Sequence, residues 1–233
     1  LMGVQNNIKT HNINQQDNKG ITPLMIAAHN GHYNIVTELA KADANINVQD
    51  KRGVTALMFA ADAGHKEVVK YLINHHADAA LQTTQHKITV LMLAAQKGHD
   101  GIVKLLLDKN VEVNTVDSDG QTALMLAVMN GKAEVVEKLL KRKAEVNIQD
   151  NNGMNALMLS IREGYTDLAE TLIGETKHLD IRDSNGNTAL AYAVKGGHAK
   201  LVKAKKKVMK VICMPCGYLC RKKKKIRPAD EEF

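Results

Sequence analysis

Tryptophan is missing from this chain, aromatic residues of any kind make up only 3% of it, and its 233 residues hold just three prolines and three cysteines. With so few aromatics the core has to come from Leu, Ile, Val, Ala and ten Met, a mix that disfavours a β-sandwich and suits closely packed short helices. The cysteines, Cys213, Cys216 and Cys220, are an odd number confined to eight residues near the end. They staple no core and fit a reducing compartment. No stretch of eighteen uncharged apolar residues occurs, and no basic segment followed by an apolar one opens the chain. Neither a spanning helix nor a secretory leader is therefore expected; a cytoplasmic setting is, with the nucleus as the alternative.

Catalytic signatures are missing as well. There is no Gly-x-Ser-x-Gly elbow, no Gly-Lys-Ser/Thr phosphate loop and no His-Glu-x-x-His. No catalytic residue, cofactor or small-molecule substrate is indicated, and the expectation is a non-enzyme. What the chain does have is 44% hydrophobic and 24% charged residues, enough for a soluble core. Its net charge of +7 is unevenly spread. Residues 199–233 hold 12 Lys and Arg against 3 acids, which leaves 20 basic and 22 acidic residues for everything before.

Internal repetition dominates the remainder. Thr22 recurs as Thr55, Thr89, Thr122, Asn155 and Thr188, and Gly31 as Gly64, Gly98, Gly131, Gly164 and Gly197. Both columns step by 33, 34, 33, 33 and 33 residues, and chance does not align two independent columns over six units. Within a unit the apolar residues have helical spacing, as in Leu57, Ala60 and Ala61 and then Val68, Val69, Leu72 and Ile73, so each unit predicts two helices. The Thr predicts an N-cap, Pro23 fits the first helical turn, and the Gly allows the reversal between helices.

The runs Thr22-Pro23-Leu24-Met25-Ile26-Ala27-Ala28, Gly31-His32 and Asp117-Ser118-Asp119-Gly120-Gln121-Thr122 resemble the ankyrin repeat. The resemblance covers residues 17–206 and implies an all-α ankyrin-repeat solenoid of helix-turn-helix units with β-turn fingers. Residues 1–16 are expected to be the remnant of a preceding repeat or an N-terminal cap, and 207–233 a basic tail. Two departures stand out. Met25, Met58, Met92, Met125 and Met158 replace the family's His, so a thioether contact should substitute for its hydrogen bonds. The third unit carries a one-residue insertion near Thr83 and Thr84, with Thr84 where Asp and Lys87 where Gly are usual, which predicts a distorted finger. Lys205 and Lys206 stand where apolar residues are usual in the sixth unit, as a polar terminal repeat requires.

His32, His65, His99 and His198 recur one per unit, a spacing that suits packing between units rather than convergence on one metal ion. The resemblance also implies that finger tips and the open face of the first helices line a groove for another protein. On this chain those positions include Ile21, Arg52, Val54, His86, Ile88, Gln121, Met129, Met154 and Arg162. Ile21, Val54, Ile88 and Met154 share a column that either forms an apolar ridge for a partner or packs against neighbouring turns. Asn114 and Asn147, each after Glu-Val, resemble substrate positions of an asparaginyl hydroxylase, while the same Asn also has a structural role in the loop between repeats.

The tail supports competing readings. Lys205–Lys207, Lys210 and Arg221–Arg227 around Cys213, Cys216 and Cys220 suit lipidation and docking of residues 203–227 on an anionic membrane surface. Two basic clusters also suit nuclear import or, less favourably, nucleic-acid contact. Zinc is the weakest ligand reading because a closed site wants a fourth ligand, and a simple solvated tail with free thiols is the remaining alternative.

Overall fold

The computed structural model describes residues 12–176 and 178–203. The segments 1–11 and 204–233 lie outside the described residues, and with them fall Lys205 and Lys206, the three cysteines and nearly all of the basic tail.

Five complete helix pairs follow one another: α1 (Pro23–His29) and α2 (Tyr33–Lys41), α3 (Ala56–Ala63) and α4 (Lys66–Asn74), α5 (Val90–Lys97) and α6 (Asp100–Asp108), α7 (Ala123–Met129) and α8 (Ala133–Lys141), α9 (Ala156–Arg162) and α10 (Thr166–Glu175). A sixth pair opens with α11 (Ala189–Lys195), after which residues 199–203 are helical again. First helices pack on first helices and second helices on second helices, and the two rows pack on each other. A hairpin-like finger precedes each first helix, and the third, fourth and sixth are closed by antiparallel bridges at Gln82 and Thr89, Val116 and Thr122, and Arg182 and Thr188. This is the all-α repeat solenoid that the resemblance implied, with the two helices per unit that the spacing predicted.

Local chemistry starts each first helix at the same place. The side-chain oxygens of Thr22, Thr55, Thr89, Thr122 and Thr188 accept from the backbone N–H three residues on, at 3.2–3.4 Å, and Asn155 does the same at 3.0 Å. At Thr22 and Thr89 the backbone N–H donates in return to Sδ of Met25 and Met92, each at 3.4 Å, closing a capping box. Met25 and Met92 thus substitute for a polar side chain with a weak acceptor, while the whole column fills the core, since all five of its Met are at most 1% exposed. Alanine pairs such as Ala60 and Ala61 or Ala94 and Ala95, fully buried, let successive first helices approach closely.

Two hydrogen-bond columns tie repeat to repeat. Each finger donates one backbone N–H to a carbonyl of the finger before it: Lys51 to Lys19 (3.0 Å), Thr84 to Arg52, Ser118 to His86, Asn151 to Asp119 and Ser184 to Asn152 (each 2.9 Å). On the loops that follow the second helices, Oδ1 of Asn14, Asn47 and Asn114 accepts from the backbone N–H of Asn45, Asp78 and Glu145 at 2.8–2.9 Å, and Oδ1 of Asn147 from the Thr176 hydroxyl at 2.7 Å. Ala80 occupies this column between Asn47 and Asn114 and has no oxygen to offer.

The third finger differs from expectation in register. Thr83, not Thr84, takes the place of the aspartate. Its N–H donates to Ile88 O (3.0 Å) as that of Asp50 does to Val54 O, and its hydroxyl accepts from Ile88 N–H (2.9 Å) as Asp50 Oδ1 accepts from Val54 N–H. The extra residue is absorbed inside the turn, with Lys87 at φ +55° doing what glycine does elsewhere. The distortion stays local, because the bonds to the second and fourth fingers persist.

Candidate groove along the fingers

Between the second and third fingers and the first helices beneath them lies a groove of about 410 Å³. Arg52 and Val54 come from one finger, Gln85, His86 and Ile88 from the next, and Phe59, Asp62 and Leu93 from α3 and α5. Phe59, one of two Phe in the chain, forms the floor. His29 meets it edge-on with centroids 5.7 Å apart, and the Arg52 guanidinium lies 5.9 Å from its centroid. Arg52 is held there by its Nε and Nη2, which donate to Asp50 Oδ2 at 3.1 and 3.0 Å. The Asp50 side chain is fully buried whereas that of Arg52 is 68% exposed, so the cation is fixed at its base and open at its face. Across the groove Lys97 Nζ approaches Asp62 Oδ1 at 3.6 Å.

Four of the residues predicted for partner contact, Arg52, Val54, His86 and Ile88, therefore meet around one cavity. Ile21 lies one finger before it, half-buried, and Gln121 and Met129 one repeat after it, also half-buried. Met154 requires correction. It is only 4% exposed, and the guanidinium of Arg162 lies against its sulfur at 3.1 Å. The apolar ridge ends before the fifth finger. Arg162 itself is exposed but also bonded to Glu163 Oε1 through Nε at 2.9 Å. Phe59 and Leu93 were not anticipated, although Ile26, Phe59, Leu93, Leu126, Leu159 and Tyr192 form one column and could have been read as such.

The far end of the finger face is polar and self-satisfied. The Tyr192 hydroxyl donates to Asp183 Oδ2 at 2.6 Å, Asn187 donates through its backbone and side chain to Asp183, and Lys195 Nζ donates to Asn187 Oδ1 at 2.9 Å. The Tyr192 hydroxyl bond, with backbone and side-chain donors from Asn187 and the backbone of Asn185, pulls the Asp183 carboxyl down to about 2. The same bond raises the Tyr192 phenol. At the near end, the N–H groups of Ile21 and Lys19 lower the Asp17 carboxyl.

Two of the repeated histidines, His65 and His99, bridge to the repeat before. His65 Nε2 donates to His29 O (2.9 Å) and His99 Nε2 to Asp62 O (3.1 Å), while an added Cβ at Gly31 would fall 2.5 Å from the His65 ring. Among the described residues no three of His, Cys, Asp and Glu gather to hold a metal. Asn114 and Asn147 are half-buried and engaged in the loop column described above.

The family model for ankyrin repeats matches in three copies, over residues 2–83, 79–150 and 134–204. No curated protein matches the sequence.

Proposed function

The chain belongs to the ankyrin-repeat family, whose members are generally protein–protein interaction modules, and from that premise we propose that it is a non-catalytic scaffold holding another protein in the groove between its second and third fingers. One observation carries this reading. Arg52, Val54, Phe59, His86, Ile88 and Leu93 converge on a single apolar-floored groove, while comparable positions at the fifth and sixth fingers are occupied by bonds among themselves. Half-buried apolar side chains framed by an anchored Arg are the composition of interface hot spots. Substituting Phe59→Ala and Ile88→Ala in the full chain should weaken capture of its cellular partner at least tenfold, with the circular-dichroism spectrum kept. Undiminished capture by both variants would sink the groove as the binding site.

A second proposal concerns location. The concentration of 12 Lys and Arg in residues 199–233, around Cys213, Cys216 and Cys220, favours docking of residues 203–227 on an anionic membrane, with nuclear import as the rival. Fluorescent fusions of 199–233, wild type and with the three Cys changed to Ser, separate the two. Loss of a membrane signal in the Ser variant supports the anchor; nuclear accumulation of both supports import.

A further inference from the structure

The finger face is divided by charge as well as by polarity. Fingers one to three (17–22, 50–55 and 83–89) carry Lys19, Lys51, Arg52 and Lys87, all exposed, against Asp17 and Asp50. Fingers four to six (117–122, 150–155 and 183–188) carry no Lys or Arg against Asp117, Asp119, Asp150 and Asp183. The balance swings from +2 to −4 within one row of equivalent turns. The two acids of the first three fingers are bonded within their own turns: Asp17, though exposed, accepts through Oδ1 from Lys19 and Ile21 N–H, both at 2.8 Å, and the Asp50 side chain has no exposed surface. On the helices below, Asp62 and Lys97 pair with each other. A partner at this end therefore meets the exposed Lys51 and Lys87 and the open face of the Arg52 guanidinium, itself paired with Asp50, beside an apolar floor.

Resting on the groove reading above, we infer that the partner segment is an acidic peptide with one large apolar anchor, the anchor seated on Phe59 and its flanking carboxylates facing Lys51, Arg52 and Lys87. The cavity, about 410 Å³, lies within the roughly 300–1,000 Å³ of sites that enclose compact ligands, enough for an aromatic or leucine side chain. The Arg52 guanidinium is already oriented by Asp50, so its exposed face meets a carboxylate with little ordering cost. The chain's own tail is a poor occupant, because its 12 cations would face the cations of the fingers. Nucleic acid shares the negative charge but gains little from the Phe59, Ile88 and Leu93 floor.

The test is selection of a phage-displayed random 15-residue peptide library on the full chain. A selected peptide is then titrated against wild type, Lys51→Glu/Lys87→Glu and Phe59→Ala, each checked by thermal melting. Enriched sequences should carry net negative charge around one Phe, Leu, Ile or Trp. The charge-reversed variant should bind about tenfold more weakly, Phe59→Ala at least tenfold more weakly, and affinity should fall as salt rises. Because the double reversal changes only exposed side chains and leaves the tail intact, it reports the groove even if Phe59→Ala folds poorly. Binding of acidic peptides that survives the reversal belongs to the tail and overturns the inference, as does an absence of enrichment. Neutral or basic peptides lost in Phe59→Ala overturn the charge inference while the groove reading stands; peptides indifferent to Phe59→Ala sink both. Single-stranded oligo(dT) that displaces the selected peptide at equal charge would assign the cations to nucleic acid instead.

Discussion

The first three fingers and the last three share one backbone plan yet present opposite surfaces. In both sets the finger N–H donates to the finger before, and a Thr or Asn caps the helix that follows. In the first set Ile26 is 54% exposed, and Phe59 and Leu93 are half-buried in an open groove. In the second set the same column is closed, with Leu126 at 9% and Leu159 at 1% exposure, and Tyr192 tied to Asp183. A repeat protein can thus keep one set of structural columns and vary the free positions from open to self-satisfied, and it is the open end that leaves apolar side chains accessible. The boundary between the sets lies near the gap in the loop column at Ala80, beside a cavity of about 430 Å³ lined by Ala80, Glu112 and Thr115.

The sharpest way to break the comparison is at the finger glycines. Gly53 has φ +79°, and an added Cβ would stand 2.6 Å from Thr84 N, in the middle of the finger ladder. Gly53→Ala should cost more than about 2 kcal/mol, combining left-handed strain with a backbone clash. Gly186, at φ +77° with nothing within 4 Å of an added Cβ, should cost only the strain, about 1 kcal/mol. Equal losses in urea denaturation would show that the open end is no more tightly built than the far end.

At the closed end acidity is the probe. Asp183, lowered to about 2 from 3.8, contributes stability that is present above pH 3.8 and lost as pH falls from there towards 2. Removing its first donor with Tyr192→Phe should raise the folded carboxyl pKa, lower the melting temperature at neutral pH and flatten its decline between pH 4 and 2. A decline as steep as that of wild type would contradict the assignment.

Repairing the boundary should have a smaller effect of the opposite sign. Ala80→Asn places an acceptor opposite Glu112, as Asn47 does for Asp78, and should add about 1 kcal/mol; Asn47→Ala should remove a similar amount. A destabilised Ala80→Asn would mean that the column does not continue through the third repeat. Smallest is the turn after α8. Lys143, at φ +62°, should gain about 0.5–1 kcal/mol on replacement by Gly, whereas Asn110, at φ +56°, should gain less because Asn tolerates that region. Comparable gains at the two turns would point to an unfolded-state effect.

Much of the fold was legible because its signals are local. The Thr column announced six helix starts, and pairs such as Val68 and Val69 named the buried face of the second helices, except in the first unit, where Ile35 of the pair Ile35 and Val36 is 50% exposed. The candidate site was legible only in outline. Arg52, Val54, His86 and Ile88 were found from their places in the finger, but Phe59 looked like an ordinary first-helix residue until the open column around it was seen. Met154 has the same finger position as Val54 and Ile88 and differs in fate because of Arg162, eight residues along. Thr83 rather than Thr84 as the aspartate substitute could not be read from spacing, since an insertion inside a turn leaves both registers equally plausible.

By itself the sequence determined the repeat, the two helices per unit, the caps and the segregation of basic charge into the tail, because each depends on residues within a few positions or on composition. Tertiary structure decided which equivalent positions are open and which are closed, how the third finger absorbs its extra residue, and where the asparagine column is broken. The closed positions turn on Arg162 against Met154 and Tyr192 against Asp183, eight and nine residues apart, and the third finger on Thr83 with Ile88, five apart, while the asparagine column rests on contacts from one repeat to the next, such as Asn47 with Asp78, 31 apart. Whether such a contact forms depends on the side chain that the other position supplies, and a one-dimensional pattern does not carry that.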